Sequence, residues 1–391
     1  MKCRPAVVVE TSNPRPACIF IWLDGGPSTI DLWDLKNDAQ TGGPFRPIPT
    51  AAGMEICEHL PKTAKVMDKL SIVRSMSTGE ASPERAYYYA HTGYVPNPTV
   101  DHPSVGAVIA QTLGPKHGNS KLPGFISING PSAGAGFLGG QYAPLVIDCD
   151  GRAVRDLLNV NHTELNRRLA MLNELEPGFA ARRGQTVDDY QGVKQQAIRL
   201  MTSDQAGVFQ TDREDPQLRA DYGDNNFGRG VLLARRLLEA GASFIEVSLP
   251  GWDVRHDYFK VLKERLLPAL DSGLSTLVRD LESRGLLDAT VIVVAGAYGR
   301  TPRIYNDGTR AHWAQSWSLV MGGGGLKGGI VVGETNANGT NVITEPFSFQ
   351  DVWATVGAVL GVPLNTHFMA RSGRPIRIFN GGRPIKELLP D

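Results

Sequence analysis

The sequence predicts an α/β protein with a mainly parallel central sheet and helices on both faces, and three observations carry that reading. Short β-branched or apolar runs alternate with helical patterns for most of the 391 residues, the order expected of strands joined by crossover helices. These runs are apolar nearly throughout rather than at every second position, which fits strands buried on both faces. No internal repeat and no convincing linker breaks the alternation, so residues 1–391 read as a single large domain, although ~150 residues per domain would allow two or three.

The strands are expected at 17–23 (ACIFIWL), 71–75, 124–129 (GFISIN), 243–249 (SFIEVSL), 289–296 (ATVIVVAG) and 317–321. Helix punctuation is clearer. Asn161 followed by Glu164 reads as a capping box, with Leu165, Leu169, Leu172 and Leu175 recurring at helical spacing. Ser348 with Asp351 opens another helix, which runs through Val352, Val356 and Val359 and stops at Gly361. The pattern from Asp257 to Leu287 holds Pro268 and should kink or split there. Segment 176–226 is polar and irregular, as a surface excursion would be.

Composition excludes several function classes. Forty Lys+Arg against forty Asp+Glu leave no net charge, so no global field draws the chain to nucleic acid or to an anionic membrane surface. The 44 glycines and 26 prolines are dispersed and imply many tight turns and ordered loops around a scaffold. Cys3, Cys18, Cys57 and Cys149 show no metal-type spacing and are too few for a disulfide framework, so free thiols are expected. The apolar run from Ala17 to Leu23 is short and ends in Asp24, unlike a signal sequence or a membrane span. A cytoplasmic location is therefore expected for the chain as written, and export if an upstream signal was lost. Oligomeric state is left open.

Two motifs invite a nucleotide or serine-hydrolase reading. Gly323, Gly325 and Gly328 satisfy G-x-G-x-x-G, but Gly329 leads into IVVGE rather than a helix, so no dinucleotide cradle is expected. Gly130, Ser132 and Gly134 match G-x-S-x-G, yet AGAGFLGG is a poor helix former and the elbow requires a helix directly after its serine. Both are expected to be inert glycine loops.

Ligands of open α/β sheets bind beyond the carboxyl ends of the strands, and polar groups gather in the segments expected there. Strand 17–23 runs into Asp24-Gly25-Gly26; strand 243–249 is followed by Asp253, Arg255, His256 and Asp257; strand 289–296 is followed by Tyr298, Arg300 and Arg303; His312 precedes the strand at 317. Loops 82–94 and 98–104 add Arg85, His91, Asp101 and His102. Carboxylates and imidazoles from separate strands are the ligand types of a Zn²⁺ or Mn²⁺ site, and arginines suit a phosphate or sulfate group. Taken singly, Asp24 is also an ordinary turn acid, Asp257 an ordinary first-turn helix residue and each histidine an ordinary structural one.

Six separated blocks together resemble one bacterial family. They are WLDGGPSTIDLWDLK (22–36), HTGYVPNPTVDHPSVGA (91–107), GWD (251–253), GRTPRI (299–304), HWAQSWS (312–318) and NGGRPIKELL (380–389). The family is domain-of-unknown-function family 1501, sulfatase-like, within the alkaline phosphatase and sulfatase superfamily. The resemblance implies an alkaline-phosphatase-like α/β/α sandwich holding one or two divalent metals and acting on phosphate or sulfate esters. It matches Asp24, Asp253 and His312 to the metal; His256 is a displaced fourth candidate, Arg85, His91 and Arg300 are candidate substrate-binding residues, and Ser82 or water is the candidate nucleophile. Residues 81–85 read Ala-Ser-Pro-Glu-Arg and are similar to the sulfatase C-x-P-x-R segment, with Ala81 where the modified cysteine would stand. Against the family pattern, Ser82-Pro83 replaces an Asp-His pair, Arg255 a His, Ala297 a Glu and Ala311 an Asp. Alanine cannot ligate a metal and arginine repels one. One weak Zn²⁺ or Mn²⁺ site and no nucleotide are therefore expected, in a protein that binds an anionic small molecule or a sulfated or phosphorylated ester with little or no turnover. The alternative is an active metal-dependent hydrolase of those esters.

Overall fold

The computed structural model describes residues 14–37, 39–114, 122–150, 185–201 and 205–391, together with 163–165, 167, 168, 170–172 and 174. Eight strands form the main sheet: β1 (Ala17–Asp24), β2 (Leu70–Met76), β3 (Phe125–Ile128), β4 (Leu145–Ile147), β5 (Phe244–Pro250), β6 (Thr290–Ala295), β7 (Trp317–Gly323) and β8 (Val331–Val332). Their spatial order is β8-β2-β7-β6-β1-β5-β3-β4. All pairs are parallel except those of β7, which runs antiparallel to both β2 and β6. The expected neighbours β5, β1 and β6 lie side by side and parallel, with Cys18 beside Phe244 and Val291.

Alternation along β1 divides the core. Ile19, Ile21 and Leu23 face a cluster that includes Val231, Leu237, Leu270 and Leu277, from helices α4 (Asn226–Glu239) and α5 (Leu267–Ser283). Cys18, Phe20 and Trp22 face the opposite cluster with Ala90, Ile109 and Trp353, from α1 (Pro83–Thr92), α2 (Val105–Leu113) and α6 (Phe349–Val359). The helix set also includes α3 (Gln185–Met201). Because a strand's side chains alternate in direction, a continuously apolar β1 can serve both faces. The result is the expected α/β/α sandwich.

Local expectations resolve as their chemistry dictates. The Asp351 carboxylate accepts from both the backbone N–H and the hydroxyl of Ser348, at 2.9 and 2.8 Å, and caps α6. Ahead of α5 the chain forms a π-helical turn over Leu262–Leu266. The backbone stays right-handed helical through that turn into α5, and Pro268, which has no N–H to give, follows the wide turn directly, so the helix is locally widened rather than split there. The expectation that 176–226 is irregular is corrected: Gln185–Met201 is a 17-residue helix and Pro216–Tyr222 another, capped by Asp215. A polar helix face had read as loop. Asn161 and residues 175–184 lie outside the described residues, so the first capping box does too.

Candidate functional site

Strands β1, β5 and β6 end at one edge of the sheet, with Asp24 beside Pro250 and Trp22 beside Ala295. The reversed strand β7 delivers its N-terminal end to that same edge, where Trp317 pairs with Met76. This is why His312, which precedes its strand, can meet groups that follow theirs. It lies on a short ribbon in which His312–Trp313 pairs with Gly299–Arg300.

Asp253 is the centre of what the edge assembles. Arg300 Nη1 donates to its Oδ1 at 2.9 Å, His312 Nε2 meets the same oxygen at 3.2 Å, and Arg255 Nη2 donates to Oδ2 at 3.1 Å. The backbone brings these groups close because Gly25 follows β1 at φ +108°, and a Cβ there would stand 2.3 Å from the Asp253 nitrogen. Only glycine accepts both the conformation and the approach. Burial pushes the Asp253 carboxyl up, but hydrogen bonds from Arg300 and His312 and the guanidinium charges outweigh it and hold the group at about 2. Tyr298, 3.3 Å from His312 Nε2, is pushed up to about 12 by burial.

Arg300 is not the free anion grip that its position suggested. Its side chain is 2% exposed and donates to the carbonyls of Gly25, Gly26 and Trp252 as well as to Asp253. These acceptors are the loop carbonyls left over where β1 and β5 stop, and a planar fork of five donors suits them. Below the same ribbon Arg310 and Asp31 form a bidentate pair at 2.8 and 3.0 Å, with both side chains wholly buried.

The remaining expected residues scatter. His256 is exposed, the left-handed Asp257 at φ +50° follows it, and His256 is not among the groups hydrogen-bonded to Asp253. Asp24 is exposed at the end of β1 and does not close a ligand set with Asp253 and His312. Ser82 is the exposed N-cap of α1, with no capping hydrogen bond from its side chain. Arg85 pairs with Glu80 at 2.6 Å and, with Tyr88 and Asp101, lines an open depression of about 390 Å³. His102 is buried, bonded to the Tyr88 hydroxyl at 3.0 Å and stacked on Tyr94. His91 is 1% exposed and directed inward, its Nε2 3.1 Å from Glu246 Oε1, which removes it from direct contact with a ligand at the edge.

Glu246 is the residue that sequence reasoning missed. It sits inside β5 with no exposed surface, and also accepts a hydrogen bond from Ser132. The signal was present, since a lone acid within SFIEVSL must find a partner if the strand is buried on both faces. The G-x-S-x-G segment itself makes no elbow: only a three-residue turn, Gly136–Leu138, follows Ser132. Nor does a helix follow Gly323–Gly328, where the chain passes into β8.

The metal implied by the family pattern does not fit these residues as they stand: Asp253 Oδ1 is engaged by the buried Arg300 and by His312 Nε2, and Oδ2 by the exposed Arg255, so guanidinium groups occupy the carboxylate a cation would need. Among the described residues, no three His, Cys, Asp or Glu side chains are grouped to hold a metal ion. No helix among them is long and apolar enough to cross a membrane.

Solved structures to which the chain is similar include the PsFucS1 sulfatase from Pseudoalteromonas sp., with a TM-score of 0.40 and 13% identity, covering 89% of this chain and 68% of that one. A protein in the alkaline phosphatase superfamily from Vibrio parahaemolyticus gives 0.38 and 10%, covering 97% and 71%. The zinc complex of the C-terminal periplasmic domain of EcEptC from Escherichia coli gives 0.42 and 8%, covering 95% and 87%. No curated protein matches the sequence. The sequence model of the family described as "Protein of unknown function (DUF1501)" matches residues 15–389, and the chain belongs to that family.

Proposed function

We propose that this chain is a member of its family in which arginine side chains have taken the place of metal at the strand-end site, and that it binds a small sulfated or phosphorylated ester without metal-assisted turnover. The observation that supports this most directly is the engagement of both Asp253 oxygens by Arg300 and Arg255. A metal would have to displace a buried guanidinium that also donates to four loop carbonyls, leaving those carbonyls unpaired at a cost of ~1–3 kcal/mol each. Arg255, 79% exposed, and the exposed Arg85 are the donors within reach of an anion arriving from solvent.

The test is calorimetric titration with Zn²⁺ and Mn²⁺ beside an aryl phosphate and aryl sulfate hydrolysis assay. Parent protein and the triple variant Arg255→His, Ala297→Glu, Ala311→Asp are compared. The parent should bind metal weakly or not at all and turn neither ester over, whereas restoring the family groups should tighten metal binding by about tenfold or more. Two tightly bound metals with efficient turnover in the parent would sink the proposal and return the chain to an active metal-dependent hydrolase.

A further inference from the structure

We infer that Ser132, Glu246 and His91 form a second reactive centre, in which Ser132 attacks uncharged carboxylic esters with Glu246 as its base. It does not rest on the Asp253 site or on the anion-binding reading. Its first support is a buried carboxylate whose two oxygens have different partners: Oε1 meets His91 Nε2 at 3.1 Å and Oε2 accepts the hydroxyl of Ser132. The second is the direction of His91. Its Nδ1 lies 2.8 Å from the Tyr87 carbonyl, which can only accept, so Nδ1 carries a proton and Nε2 and Oε1 share one more. With that proton on His91, Glu246 is a carboxylate whose Oε2 is left as an acceptor aimed at Ser132.

The loop around Ser132 adds what a nucleophile needs. Ser132 is half-buried, flanked by exposed Pro131 and Gly134, and a Cβ built on Gly134 meets nothing within 4 Å. The Tyr87 hydroxyl donates to the Pro131 carbonyl at 3.1 Å and fixes the loop. Among the described residues no backbone carbonyl takes the N–H of Ser132, Ala133 or Gly134, and the developing oxyanion is assigned to one of these donors. Charge selects the substrate class. The exposed Asp24 carboxylate stands near enough to act on Tyr87, the His91–Glu246 pair carries no net positive charge, and among the described residues no lysine or arginine contacts Ser132 or Glu246. A phosphate or sulfate monoester would be repelled where a neutral ester is not.

In the first step the Ser132 hydroxyl proton passes to Glu246 Oε2 as the Oγ–C bond forms. The tetrahedral oxyanion then collapses, the bond from carbon to the leaving oxygen breaks, and the departing alkoxide takes the proton back from Glu246. Water repeats the sequence on the acyl-serine, so ester and water give acid and alcohol. His91 acts through Glu246 as a positioning residue.

Labelling of the whole protein with a fluorophosphonate, read by intact mass and peptide mapping, tests the centre, with hydrolysis of a short acyl ester of p-nitrophenol as a second readout. One adduct on Ser132 is expected, absent in Ser132→Ala together with the esterase activity. Glu246→Gln should slow labelling by about 100-fold or more, and Glu246→Asp, which keeps the carboxylate, should retain a measurable part. Circular dichroism identifies a variant that fails to fold, in which case the conservative Glu246→Asp carries the comparison. An unlabelled Ser132 in folded wild-type protein, or equal labelling rates in wild type and a folded Glu246 variant, overturns the inference.

Discussion

Two aspartates near one sheet edge, Asp31 and Asp253, are each held by arginine, yet they occupy different electrostatic worlds. Asp31 and Arg310 are sealed, with no exposed surface on either side chain, and the remaining Arg310 donors are taken by the carbonyls of Thr41, Thr301 and Pro302. Asp253 is 36% exposed and divides its oxygens between buried Arg300 and solvent-facing Arg255. The residue types are the same; solvent access differs. A sealed pair cannot exchange its partner for a ligand, whereas an edge pair with one exposed cation can, so burial separates the structural pair from the one open to binding.

Breaking the sealed pair should have the largest effect. Arg310→Met leaves Asp31 charged and wholly buried, and the expected loss is about 3–5 kcal/mol by denaturant unfolding. Adding Asp31→Leu should recover much of it, because the lone buried charge is then gone. A single variant within ~1 kcal/mol of wild type would mean that solvent reaches Asp31 and that the contrast with Asp253 is false.

Arg300→Ala should fall between the extremes, since it strips donors from four loop carbonyls but leaves Asp253 with Arg255, His312 and water. About 2–4 kcal/mol is expected, with Zn²⁺ affinity, measured by calorimetry, rising rather than falling. Unchanged metal affinity in a folded variant would show that the guanidinium is not what keeps cations out.

How far the sequence could anticipate this contrast depends on what kind of information each residue carries. Strand positions were legible because burial on both faces demands long apolar runs, and Ser348 with Asp351 was legible because capping is local in sequence. The direction of β7 was not, as an apolar run reads the same either way, and that direction is what brings His312 to Asp253. The Asp253–Arg255 contact follows from a spacing of two residues. By contrast, the fate of Arg300 depended on carbonyls 274 and 275 residues away, and that of His91 on a glutamate 155 residues away. Read from the sequence alone, Arg300 and His91 face outward toward a ligand; in the structure their partners lie inward.

The smallest effect, and the most discriminating, is expected at Arg255. Its pair with Asp253 lies at the surface, so Arg255→Ala should change stability by less than about 1 kcal/mol. The Asp253 carboxyl reports the change more sharply. In the folded protein it lies at about 2 against an ordinary 3.8, so its stabilising contribution is present above pH 3.8 and is lost as pH falls toward 2. Removing Arg255 should raise the folded value and narrow that window from below. Arg300 and His312 remain on Oδ1, so the carboxyl should still titrate below its ordinary value. Carboxyl-carbon NMR across the acid range measures both the direction and the residue of the shift. A return to the ordinary value on losing Arg255 alone would make the exposed arginine, not the buried one, the dominant partner of Asp253.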